Sequence, residues 1–164
     1  MECVGIWERG EKVLEMTAAG LRAFGRQDVR LVPARHPAEL AGLAMTLLVV
    51  SPGATGWAGA GALSCRKVLL PGGAGPLAHA FQAESAVSYG ASPKDTLTIS
   101  SLSEERLCLA LQRELVTVDG TVVDRQELVL PFSKGRAALP FLASVGALLL
   151  LSVPPEELSA VLPG

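Results

Sequence analysis

The residues whose types can do chemistry are few and scattered. In "SPKD", residues 92–95, Lys94 stands beside Asp95 at a turn between two β-rich runs, 86–89 and 96–99. At a strand end of an open α/β sheet, such a pair would rim a ligand cleft. The plainer reading is a solvated turn in which Pro93 fixes one dihedral and both charges face water. "LLPGGAGP", residues 69–76, gathers Gly72, Gly73 and Gly75 ahead of an expected helix. Backbone N–H groups in that setting hold small anions such as a nucleotide or sugar phosphate, whereas the plainer reading is a flexible connection. His79 follows on the expected helix, facing that cleft or serving structure.

Other chemistries have little support. Cys3, Cys65 and Cys108 are odd in number, far apart and set in apolar, strand-like contexts, as buried free thiols are. Neither His36 nor His79 completes a metal-ligand spacing with them, so no metal is expected. Ser51, Ser64 and Ser88 lack the Gly-x-Ser-x-Gly setting of an exposed nucleophile. The acid pairs in "SEERL" and "PPEEL" fit helix starts or solvated surface rather than acid–base work. No catalytic residue and no cofactor are assigned.

The elements that must position these residues follow a clear order. "CVGIW" reads as a buried strand, "EKVLEMTAAGLRAFG" as a helix stopped by Gly25, and "DVRLVPA" as a second strand. "HPAELAG" reads as a short helix with Pro37 near its first turn. "AMTLLVVSPG" is continuously apolar, as a strand covered on both faces should be. "CRKVLLPGG", "GPLAHAFQAE" and "SAVSYG" then read as strand, helix and strand. This alternation is the signature of a parallel sheet with crossovers. "DTLTISSL", "ERLCLALQRELVTVDG" and "TVVDRQELVLPF" are β-rich without intervening helices, and Asp119-Gly120 is a hairpin signal. A helix near 136–151 and another in "PPEELSAVL" close the chain. The expected fold is one three-layer α/β domain over residues 1–164. Its mainly parallel sheet carries helices on both faces and antiparallel C-terminal strands.

With 49% hydrophobic and 18% charged residues, the chain has the composition of a globular domain. A net charge of -2, no basic stripe and 4% aromatics argue against nucleic-acid binding. The start, "MECVGIWERGEK", lacks the basic and apolar regions of a secretory signal. The uncharged stretch 137–155 approaches membrane-span length but is broken by Pro140 and Gly146 and holds Ser144 and Ser152. It is expected to form a buried helix of a cytoplasmic protein, without a membrane.

The order of motifs resembles the central, ATP-binding domain of the Mur ligases, which add amino acids to peptidoglycan precursors. "AVSYGASPKDTLTISSL" is similar to that family's strand, Tyr-Gly, polar turn and strand, and "LVTVDGTVVDRQELVLPF" to its hairpin. "LASVGALLLLSVPPEELSAVLPG" is similar to its Ala-rich helix, Gly-Val/Ile-Pro-x-Glu turn and final helix. "VGIWERGEKVLEMTAAGLRAFG" has the outline of its phosphate loop. The resemblance implies that Gly10 and Lys12 hold the places of the phosphate-loop glycine and lysine. The loop is otherwise degenerate. Its other glycines are missing, Val13 stands where a hydroxyl would hold magnesium, and Glu8 and Glu11 bring negative charge. Ala74 and Gly75 replace the expected paired aspartates, and "KGRAALP" replaces the Gly-x-His-Asn-x-x-Asn segment.

Three pieces of nucleotide chemistry are thus damaged within a recognisable framework. The expected role is a non-catalytic binding or scaffold module, linked to cell-envelope metabolism and acting through a homo-oligomer or a protein partner. A domain binding a small anionic ligand at 71–76 is the alternative, and an enzyme of unidentified class the third reading.

Overall fold

The computed structural model describes residues 2–54, 63–74, 81–133 and 135–162. Strand β1 (Glu2–Trp7) leads to helix α1 (Val13–Phe24) and strand β2 (Val29–Ala34). A 3-10 turn, Pro37–Leu40, precedes β3 (Met45–Val50), β4 (Leu63–Pro71) and β5 (Phe81–Gly90). Strands β6 (Leu97–Leu102), β7 (Arg106–Leu111), β8 (Leu115–Val116), β9 (Val122–Val123) and β10 (Gln126–Pro131) follow. Helices α2 (Ala138–Leu150) and α3 (Leu158–Val161) close the domain.

Eight strands form one sheet in the order β10-β7-β6-β5-β4-β3-β1-β2, a Rossmann-like arrangement, while β8 and β9 pair as a separate hairpin. The strands from β2 to β6 run parallel, and β7 is antiparallel to both β6 and β10. The fold is thus three-layer α/β with an antiparallel C-terminal extension. One apolar layer joins β1 and β3–β7 to α1, α2 and α3. The opposite layer is built on Trp7, Leu48, Val50, Val68 and Leu70, and among the described residues it is covered by the Pro37–Leu40 turn through Leu40.

The helices form for legible reasons. α1 stops at Gly25, whose φ of +88° places it in the left-handed region, while Gly25 N–H and Arg26 N–H bond back to Arg22 and Leu21. α2 is apolar on every side, as a fully buried helix must be. Its 13 residues span ~20 Å, short of a ~30 Å bilayer core. No helix among the described residues is long and apolar enough to cross a membrane.

One expected element is corrected. "GPLAHAFQAE" is not a helix over its second half, because Phe81–Glu84 open β5 and pair with Leu63–Arg66 of β4. Phe81 and Ala83 alternate with Gln82 and Glu84, and they join the core layer opposite the helices. Period-two burial against a neighbouring strand outweighs the helical preference of Ala, Gln and Glu. Residues 75–80, including Pro76, lie outside the described residues, as do residues 55–62.

Candidate functional site

β1 is followed by a crossover to β2 on one side, whereas β3 and later strands add on its other side. Where the order reverses, the carboxyl ends of β1 and β3 frame the crevice in which open α/β sheets bind ligands. Here the crevice is bounded by the loops 8–12 and 51–53.

The chain's own carboxylates fill it. Glu8 Oε1 accepts from Val13 N–H at 3.1 Å and Oε2 from Leu14 N–H at 2.8 Å. These are the first two N–H groups of α1, which otherwise lack partners and carry the positive end of the helix dipole. Glu11 Oε1 accepts from Ser51 Oγ at 2.5 Å and from Arg9 N–H at 3.2 Å, and Oε2 accepts from Gly53 N–H at 2.8 Å. A Cβ on Gly53 would lie 2.9 Å from Glu11 Oε1, so the glycine admits this contact. Gly10 (φ +75°) and Lys12 (φ +66°) take left-handed conformations to bring the loop round. Lys12 is exposed and borders a cleft of about 210 Å³ with Glu15 and Arg136. The short polar loop thus sets one acid on the first N–H groups of α1 and the other on Ser51 and Gly53.

Tyr89 supports the same region from below. Its hydroxyl donates to Val50 O at 2.6 Å, reaching from β5 across β4 to the end of β3. Burial first, and then the Glu11 charge, hold its phenol far above the ordinary tyrosine range.

The Lys94–Asp95 turn is a junction. β6 continues in the direction of β5, displaced by one strand, and their overlap is Tyr89–Gly90 against Leu97–Thr98. Asp95 is 4% exposed. Its Oδ2 accepts from Ser92 N–H at 3.1 Å, and its carbonyl accepts from Gln112 Nε2 at 2.8 Å. The carboxylate lies against Gly72 and Gly90: a Cβ on Gly72 would overlap Oδ1, and one on Gly90 would lie 2.5 Å from Oδ2. Lys94 is exposed, and its carbonyl accepts from Arg113 at 2.9 Å.

Of the residues singled out in the sequence, the structure brings Gly72 and Asp95 together. Gly73 has open space where a side chain would project. Gly75 and His79 lie outside the described residues. Cys3, Cys65 and Cys108 are free thiols on strands, but only Cys65 is fully buried, and burial pushes its thiol up to about 11. Among the described residues no group of three His, Cys, Asp or Glu side chains is set to hold a metal.

Sequence reasoning missed two features. Ser51 and Gly53 receive Glu11, and the only signal was the "SPG" after the strongest strand. A separate cleft of about 440 Å³ lies between the β8–β9 hairpin and the turn after α2, bordered by Asp119, Asp124, Ser152 and Glu156. Asp119 accepts from the Thr117 hydroxyl at 2.5 Å and from Thr121 N–H at 3.1 Å. Thr117 first, then Thr121, hold its carboxyl well below the usual carboxylate range. The signal there is "TVDGT", which reads first as a hairpin turn. Comparison with protein-family models and with curated proteins returned no match.

Proposed function

We propose that the protein is a non-catalytic binding or scaffold module, related to the Mur ligase central domain and serving cell-envelope metabolism without turning over ATP. The observation that carries this reading is the Glu8 carboxylate seated on the first two N–H groups of α1. A helix N-terminus attracts anions because its N–H groups are unpaired and its dipole end is positive. Glu8 supplies both the partners and the charge from within the chain. A triphosphate entering there would displace that carboxylate and meet Glu11 beside it, in a site whose only nearby loop lysine, Lys12, is turned to solvent.

The test is calorimetric titration of the protein with magnesium ATP. No binding heat is expected up to millimolar nucleotide. A dissociation constant in the micromolar range or tighter would refute the reading.

A further inference from the structure

The eight-stranded sheet ends at β10, whose outer edge is unpaired among the described residues. Its ladder parity can be read from one bond. Phe132 N–H donates to Glu105 O at 2.9 Å, continuing the register that sets Pro131 opposite Arg106 and Leu130 opposite Leu107. Hydrogen-bonded pairs alternate in an antiparallel ladder. The even residues of β10 therefore bond inward to β7, and Glu127, Val129 and Pro131 turn their backbone groups outward. Pro131 lacks an N–H but falls on an outward position, where no ladder bond is lost. Natural edges are protected by charge, proline or a cover. Here the centre of the edge is Val129, which is 52% exposed. A groove of about 340 Å³ lies at the Pro131 end of the strand, lined by Glu105, Arg106, Val129, Leu130, Pro131 and Ser159 of α3.

We infer that β10 pairs antiparallel with β10 of a second copy of this chain, about a two-fold axis through Val129. In that register each Val129 N–H donates to Val129 O of the second copy, and each Glu127 N–H donates to its Pro131 O. Every outward N–H of the strand gains an acceptor, and the missing N–H of Pro131 faces a carbonyl that keeps its water. The side chains agree with the backbone. Cross-strand partners share a face, so Glu127, Val129 and Pro131 lie on one face with Ala110, Cys108 and Arg106. The two exposed valines meet at the axis. Glu127 comes to lie two strand spacings, ~10 Å, from Arg106 of the second copy, within reach of two extended side chains. The axis makes this charge pair twice. Shifting the register by one pair of residues sets Glu127 beside Cys108 instead and loses the match.

Strand pairing alone buries less than the ~1,600 Å² of a standard stable interface, so a weak, concentration-dependent dimer is expected. The inference rests on the β10 edge and not on the ATP reading, so either stands if the other fails.

Sedimentation velocity and amide hydrogen exchange of the full chain, across a range reaching roughly 100 μM, test it. Wild type is expected to shift from monomer to dimer, with the Glu127 and Val129 amides gaining protection as it does. The Leu128 and Leu130 amides are protected throughout. Val129→Lys is expected to stay monomeric with an unchanged circular dichroism spectrum. Glu127→Arg and Arg106→Glu should each weaken the dimer about tenfold, as loss of a charge pair does, and the double reversal should restore it. Three results would overturn the inference: wild type monomeric throughout, a dimer insensitive to Val129→Lys, or a dimer whose Glu127 and Val129 amides exchange as in the monomer.

Discussion

Asp95 shows how a charged residue at a turn can be structural. Its carboxylate fits because Gly72 and Gly90 have no side chains. Gly72→Ala should therefore destabilise the protein by ~1–3 kcal/mol, the usual cost of overpacking a filled site. The cost of Gly72→Ala in an Asp95→Ala background should be smaller, since the obstructing group is gone. Urea denaturation of the four proteins of that cycle measures the coupling, and strict additivity would contradict the contact. Tyr89 gives a second residue-level expectation because it is the only tyrosine. Its native phenol is held neutral, so its stabilising contribution is complete below the unfolded pKa of about 10 and is lost as the pH climbs above it. Tyrosinate absorbance should appear together with alkaline loss of the circular dichroism signal. A titration near pH ~10 with the fold intact would count against the buried hydrogen bond to Val50. The sequence announced the negative charge at Glu8 and Glu11 but not their partners. Which donors a carboxylate finds depends on loop conformation, and two residues of that loop adopt left-handed backbone.

At the level of elements, packing distance is set by small residues. α1 crosses α2 with Gly20 against Leu148, where an added Cβ would lie 2.7 Å from Leu148 Cδ1. Gly20→Ala gains ~1 kcal/mol of helix propensity and meets ~1–3 kcal/mol of overpacking against a fully buried leucine. A lower melting temperature is expected, and a stabilised variant would mean that the helices separate freely. Most elements were legible because their burial pattern is carried by local spacing: the run Met45–Val50, the Gly25 stop and the Asp119-Gly120 hairpin all sit where expected. The start of β5 was not legible. Alternation in "FQAE" is only four residues long, and it decides nothing until β4 lies alongside.

For the whole molecule, the loss of helical segments after β5 marked where the sheet changes character, but the antiparallel pairing itself begins one strand later than expected, because β6 ("DTLTISSL") still runs parallel to β5 and only β7 reverses. What a sequence could not display is the sidestep from β5 to β6, in which a six-residue turn (91–96) replaces a crossover. That step lets β6, β7 and β10 extend the sheet without needing another helix, and it leaves β10 as an edge. The position of α2 after every strand it covers has a further consequence. This one helix packs on β3, β4, β5 and β6 and on α1. During synthesis from the N-terminus, those strands emerge with the inner apolar layer uncovered until residues 138–150 leave the ribosome. The nascent chain therefore carries this aggregation hazard from the synthesis of β3 until α2 emerges, and this layer closes on the arrival of one helix rather than strand by strand.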